Sequence, residues 1–313
     1  SGIPAQLGSY PTFMDGGKAP ALRPERVMVD PLDFRGELLL KDRARIFNKD
    51  PKNVPIRTDA VSTKATGPGE TEPAALGIND YYYLNFVQDL SWEIAGTGDF
   101  DGNGSTDILW RNYGTGDFSG WNVIWYMTGG STTGFGYLYG ISDLDWRIAG
   151  TGDFDQDGDI DILWRNYGMG EFSGWNVIWY MQGEGISGYG YLYGISDLDW
   201  QIAGAGDFDR DGDVDILWRN YGTGTYSGWN VIWYMQGEGI SGYGYLNGIS
   251  DLDWQIAGTG DFDNNGHLDI IWRNYGTGTF GGWNCIWYME GEGIIGYDYP
   301  NQIPDLKWRI VNR

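Results

Sequence analysis

From Trp92 onward the chain alternates short apolar runs with polar, glycine-rich breaks. Trp92–Gly96 predicts a first strand, Asp107–Arg111 a second, Trp121–Met127 a third and Gly134–Tyr139 a fourth. β-branched and aromatic residues fill these runs, and Gly, Asp, Asn and Ser bound them. Glycine, with 52 residues, is too dense for helices of ordinary length. The third run carries bulk on both faces, Trp121, Val123 and Trp125 on one and Ile124 and Tyr126 on the other. A sheet that is apolar on both faces has to be covered on both.

The pattern returns with a period of 54 residues, set by Trp92, Trp146, Trp200, Trp254 and Trp308. The first four open W-x-I-A-G-x-G-D-F-D, and the units from Trp146 and Trp200 differ at only 8 of 54 positions. Four-stranded sheets that repeat radially, each covering the next, make a β-propeller. The expected fold is therefore all-β, a propeller of four full units with a partial or mixed fifth. Before the units, Tyr81–Leu84 aligns with a fourth strand; after them, Leu306–Val311 aligns with a first strand. Those two orphan strands would share one mixed blade.

Composition divides the chain near residue 79. Residues 1–79 hold 11 Lys and Arg against 10 Asp and Glu, 9 of the 11 prolines and no tryptophan. Residues 80–313 hold 9 basic residues against 33 acidic ones and all 17 tryptophans. The first part reads as an extended, Pro-rich arm too poor in core residues to fold alone. It would be ordered by packing on its own propeller or on a neighbouring subunit, so the expected partner is a second copy of the chain. The overall charge of −23 does not suit a nucleic-acid binder. The longest apolar runs are about six residues, far short of a membrane span. The single cysteine, Cys285, excludes an intrachain disulfide and occupies the place of Val123, Val177 and Val231, a core position. The chain begins at Ser1 with neither a Met nor a leader, which reads as a processed or trimmed product.

Between its first and second strands each unit carries D-F-D-x-[D/N]-G-x-x-D. The side chains are Asp99, Asp101, Asn103 and Asp107; Asp153, Asp155, Asp157 and Asp161; Asp207, Asp209, Asp211 and Asp215; and Asp261, Asp263, Asn265 and Asp269. Oxygen ligands at positions one, three and five, glycine at six and a backbone carbonyl at seven form a Ca²⁺ loop. The carbonyls at seven belong to Ser105, Asp159, Asp213 and His267, and the ninth-position Asp closes the shell. An EF-hand is excluded, because its twelfth position needs Glu and here holds Trp110 within a strand pattern. The alternative is that the aspartates only form Asx turns.

With those loops, residues 80–313 resemble the FG-GAP/VCBS repeats, the calcium-loop blades of integrin-α-type propellers. The resemblance implies a propeller fold, about one Ca²⁺ per full repeat and an extracellular or cell-surface setting. Its members include adhesion modules, carbohydrate-binding propellers and accessory domains of surface proteins. Seven blades are common there, and this chain departs in having four full units. Residues 1–79 match no pattern.

Catalysis is poorly supported: the one histidine, His267, sits in a calcium loop, and the acids recur in every unit instead of forming a unique pair. A second repeated motif follows the second strand: Arg111-Asn112-Tyr113, Arg165-Asn166-Tyr167, Arg219-Asn220-Tyr221 and Arg273-Asn274-Tyr275. An aromatic face beside amide and guanidinium donors suits a sugar, and four copies would give avidity. Alternatively Asn and Gly make the turn while Arg and Tyr brace adjacent blades. Two functions follow: a secreted, calcium-stabilised subunit of a fibre, sheath or matrix, or a multivalent carbohydrate-binding propeller.

Overall fold

The computed structural model describes Leu84 and residues 87–311, all within one compact unit, Lys49–Arg313. The arm at 1–79, its boundary and the orphan strand positions Tyr81–Tyr83 lie outside the described residues. Those described are all-β: four four-stranded antiparallel sheets form a four-bladed β-propeller. Among them no helix is long and apolar enough to cross a membrane.

The first blade pairs β1 (Trp92–Gly98), β2 (Asp107–Asn112), β3 (Asn122–Thr128) and β4 (Ser131–Leu138) in chain order. The second repeats it with β5 (Trp146–Gly152), β6 (Asp161–Asn166), β7 (Asn176–Gln182) and β8 (Gly185–Leu192). The third has β9 (Trp200–Gly206), β10 (Asp215–Asn220), β11 (Asn230–Gln236) and β12 (Gly239–Leu246). The fourth has β13 (Trp254–Gly260), β14 (Asp269–Asn274), β15 (Asn284–Glu290) and β16 (Gly293–Asp298).

Blades that follow one another in the chain meet through apolar cores. In the first junction Ala95, Phe100, Leu109 and Ile124 pack on Trp146, Ile148, Ile162 and Trp164. The second and third junctions repeat this with residues 54 and 108 positions later. β1 packs on β5, β5 on β9 and β9 on β13. That close approach needs small residues: a Cβ on Gly204 would lie 2.9 Å from Thr259 Cγ2. The alanine of W-x-I-A-G sits where β1 and β2 shift register, between Ile94 and Gly96. Such a bulge re-aims a side chain, and Ala95 joins the junction core.

The fifth blade does not form among the described residues. Residues 308–311 join no sheet, although Trp308 keeps the turn of a unit start, its N–H donating to Asp305 O at 3.2 Å. The corresponding Trp92 amide donates to Asp89 O at 3.1 Å. Among the described residues no strand lies beside it, and Trp308 is 63% exposed against 6% for Trp146.

Candidate metal centre

β1 ends and β2 begins at the same end of each sheet, so the four acidic loops share one face of the propeller. The sixth-position glycines take the left-handed conformation the loop requires, at φ 85°, 96°, 96° and 83° for Gly104, Gly158, Gly212 and Gly266. Position four is left-handed as well, and there Gly102 gives way to Gln156, Arg210 and Asn264.

This double bend gathers three carboxylates per loop: Asp99, Asp101 and Asp107; Asp153, Asp155 and Asp161; Asp207, Asp209 and Asp215; Asp261, Asp263 and Asp269. In each group one oxygen per residue lies within 4.8 Å of the others. The fifth-position Asp157 and Asp211 fall outside these groups; their Oδ1 atoms accept the seventh-position amides of Asp159 and Asp213 at 2.9 Å. Asn103 and Asn265 accept from Ser105 and His267 in the same way, both at 2.7 Å. Their Nδ2 groups also reach across the blade to Met127 O and Met289 O, at 3.2 and 3.4 Å. A carboxylate has no donor for that contact.

The ninth-position aspartates are the buried members. Asp161 accepts the Phe154 amide at 2.8 Å on one oxygen and the Met181 amide at 2.8 Å on the other. It thereby ties its loop to the end of β7. Asp107, Asp215 and Asp269 do the same between Phe100 and Met127, Phe208 and Met235, and Phe262 and Met289. Desolvation pushes Asp161 and Asp215 up to about 6, and two backbone amides on each pull against it. Asp107 and Asp269 are raised for the same reason. At the first position both oxygens of Asp99 also accept amides, from Asn103 at 3.0 Å and Gly104 at 2.8 Å.

The donor set fits Ca²⁺. It is all oxygen, and each carboxylate keeps lone pairs beyond those its amides use. Three like charges at this spacing repel by on the order of 1–4 kcal/mol per pair. A divalent cation would reverse that sign and favour the ionised form of the buried ninth residue.

Two links between loops have no signature in the repeat. Gln156 Nε2 donates to Gly212 O at 3.0 Å and Asp213 Oδ1 at 3.1 Å in the next loop. Arg210 Nη1 donates to His267 Nε2 at 3.4 Å in the loop after that.

The Arg-Asn-Tyr motifs lie at the opposite end and do not form an exposed sugar platform. Arg111 is fully buried and donates to Gly120 O, Asn122 Oδ1 and Ile141 O at 2.9–3.0 Å. Its guanidinium stands 5.2 Å from the Tyr113 ring and 4.9 Å from Trp164 of the next blade. Arg165 and Arg219 repeat this with Tyr167 and Trp218, and Tyr221 and Trp272. Burial lowers Arg111 to about 10. Asn112, Asn166, Asn220 and Asn274 are buried, each accepting the amide two residues on, from Gly114, Gly168, Gly222 and Gly276. Arg273 is equally buried and stacks on Tyr275 at 5.2 Å. These residues brace the blades because each arginine ties the second strand, the turn after it and the linker to the next unit. Cys285 is a buried core thiol, which burial beside Asp298 pushes up to about 12.

No family model matches this chain, and no curated protein matches it.

Proposed function

We propose that this chain is a non-enzymatic, calcium-stabilised β-propeller of the FG-GAP/VCBS kind, acting outside the cell or at its surface as a structural scaffold. The observation that carries this reading is the repetition of one three-carboxylate group at the corresponding place in all four blades. A catalytic pair has no reason to recur four times in the same geometry, whereas a stabilising ion does. Loops of this kind fill at millimolar extracellular calcium, and weak ones stay empty at cytosolic levels. As a scaffold the chain builds a fibre, sheath or matrix, with residues 1–79 packing on a neighbouring subunit. Their near-neutral, Pro-rich and Trp-free composition supports that part of the reading.

Calcium bound only to the native state stabilises by about 2.7 kcal/mol at a hundredfold excess over Kd. For a domain of this size that is about 5–10 °C in melting temperature. Chelation should lower the melt by that amount and added calcium should restore it. An unchanged melt with and without chelator overturns the metal assignment. Removal of residues 1–79 should leave a folded monomer; a truncated chain that still polymerises overturns the assembly role.

A further inference from the structure

Position four of the acidic loops changes from blade to blade: Gly102, Gln156, Arg210 and Asn264. All four take the left-handed conformation, at φ 69°, 61°, 68° and 61°. Glycine and asparagine are the usual residues there, and glutamine and arginine are uncommon. Both of these aim their side chains at the following loop. Gln156 stands between Asp155 and Asp157, and its Nε2 donates to Gly212 O at 3.0 Å and Asp213 Oδ1 at 3.1 Å. Those are the sixth and seventh residues of the third loop. Asp213 Oδ1 also accepts the Gly237 amide of its own blade's hairpin at 3.4 Å. One blade further on, Arg210 Nη1 donates to the seventh-position His267 at 3.4 Å. Gly102 has no side chain with which to reach the second loop.

We propose that Gln156 and Arg210 are positioning residues that couple the calcium loops of blades two, three and four. These three loops fill cooperatively, and the first fills by itself. The inference rests on the calcium reading of the loops. The seventh position contributes a backbone carbonyl to the shell. Gln156 pins the peptide just before that carbonyl, together with the Asp213 side chain. Gln156 is itself held by the bend of the second loop. Ordering the second loop therefore leaves less to be ordered in the third, which is positive coupling between two sites, and it acts equally in both directions. The links are exposed hydrogen bonds, so the expected factor is small, about threefold to tenfold in affinity. The single, longer contact of Arg210 makes the second link the weaker one.

The test follows the calcium midpoint of each loop in the full chain by hydrogen exchange of that loop's own peptide. Asp155→Asn weakens the second loop directly. It should raise the third loop's midpoint by about threefold or more and leave the first loop's unchanged. Gln156→Asn keeps the left-handed bend, as Asn264 does, and is too short to reach the third loop. It should raise the third midpoint by the same factor, and Asp155→Asn added to it should raise that midpoint no further. Gly102→Gln enters open space with Asp159 in the place of Asp213, and should draw the first loop into the coupled set. Midpoints that shift only in the loop carrying the substitution overturn the coupling and leave the calcium reading standing. A stability loss in Gln156→Asn that is equal with and without chelator marks a plain brace and overturns the coupling as well. Absence of calcium-dependent protection in every loop overturns both.

Discussion

At the scale of single residues, the first and ninth positions of each acidic loop serve two purposes that a substitution can separate from the exposed third. Asp161 holds two backbone amides, whereas Asp155 is exposed. Asp161→Asn turns one acceptor into a donor that faces an amide. It should cost about 1–3 kcal/mol in denaturant unfolding with chelator present. Asp155→Asn should cost little under chelation and should lose part of the calcium-dependent gain. Equal losses for the two in chelator would contradict this division. That the ninth aspartate joins the acidic group was legible from spacing. Its grip on Met181, twenty residues away, was not, because a backbone amide leaves no mark on a sequence. The arginines of Arg-Asn-Tyr were opaque for a similar reason. Arginine is rarely buried, and the partners that bury Arg111 are mostly carbonyls that any residue could supply.

Elements are joined by a second repeated device on the outer strands. The Tyr126 hydroxyl donates to Glu184 of the next blade's hairpin at 3.3 Å, and Glu184 also accepts the Tyr137 amide at 3.3 Å. Tyr180 with Glu238 and Tyr234 with Glu292 repeat the hydroxyl contact at 3.3 and 2.7 Å. The device requires glycine opposite the phenol: a Cβ on Gly136, Gly190 or Gly244 would stand 2.5–2.7 Å from the tyrosine oxygen. Both ends of the array depart from it. The first blade has Gly130 where the others have Glu, so it brings no carboxylate to a preceding blade. The last has Asp298 where the others have glycine. Among the described residues no following hairpin brings a glutamate to Tyr288, and burial together with the neighbouring Asp298 carboxylate raises its phenol. Terminal repeats of such arrays are atypical in this way. Gly244→Asp should therefore destabilise by about 1–3 kcal/mol, since it crowds Tyr234 and sets a second carboxylate beside Glu292. Asp298→Gly should change stability by less than about 1 kcal/mol. Denaturant midpoints of the two variants check the contrast. The period, the strands and the turns could be read from one unit alone. These end effects could not, because they depend on which blade lies next to which.

For the whole molecule the same asymmetry sets where unfolding begins. Blades two and three have both faces in the buried cores joining blades in chain order. At the outer faces the cover is thinner. Ile148, Ile202 and Ile256 are 2–3% exposed, and their counterpart Ile94 is only partly buried. Leu109, Leu163 and Leu217 are fully buried, while Ile271 in the fourth blade is partly exposed and Phe280 is 45% exposed. Where each repeat leans on its neighbours, stability is a sum of unit and interface terms, and a unit short of one interface opens first. Hydrogen exchange should accordingly be slowest in β6 and β10, faster in β14 and fastest in residues 306–311. Calcium should slow exchange in every blade, because each blade has its own carboxylate group. Four bound ions also bring the formal charge from −23 to about −15, reducing the self-repulsion that favours opening. Uniform protection across the four blades would mean that the outer faces are as well covered as the inner ones. A calcium effect confined to one blade would mean that the four loops, alike in sequence and geometry, are not alike in occupancy.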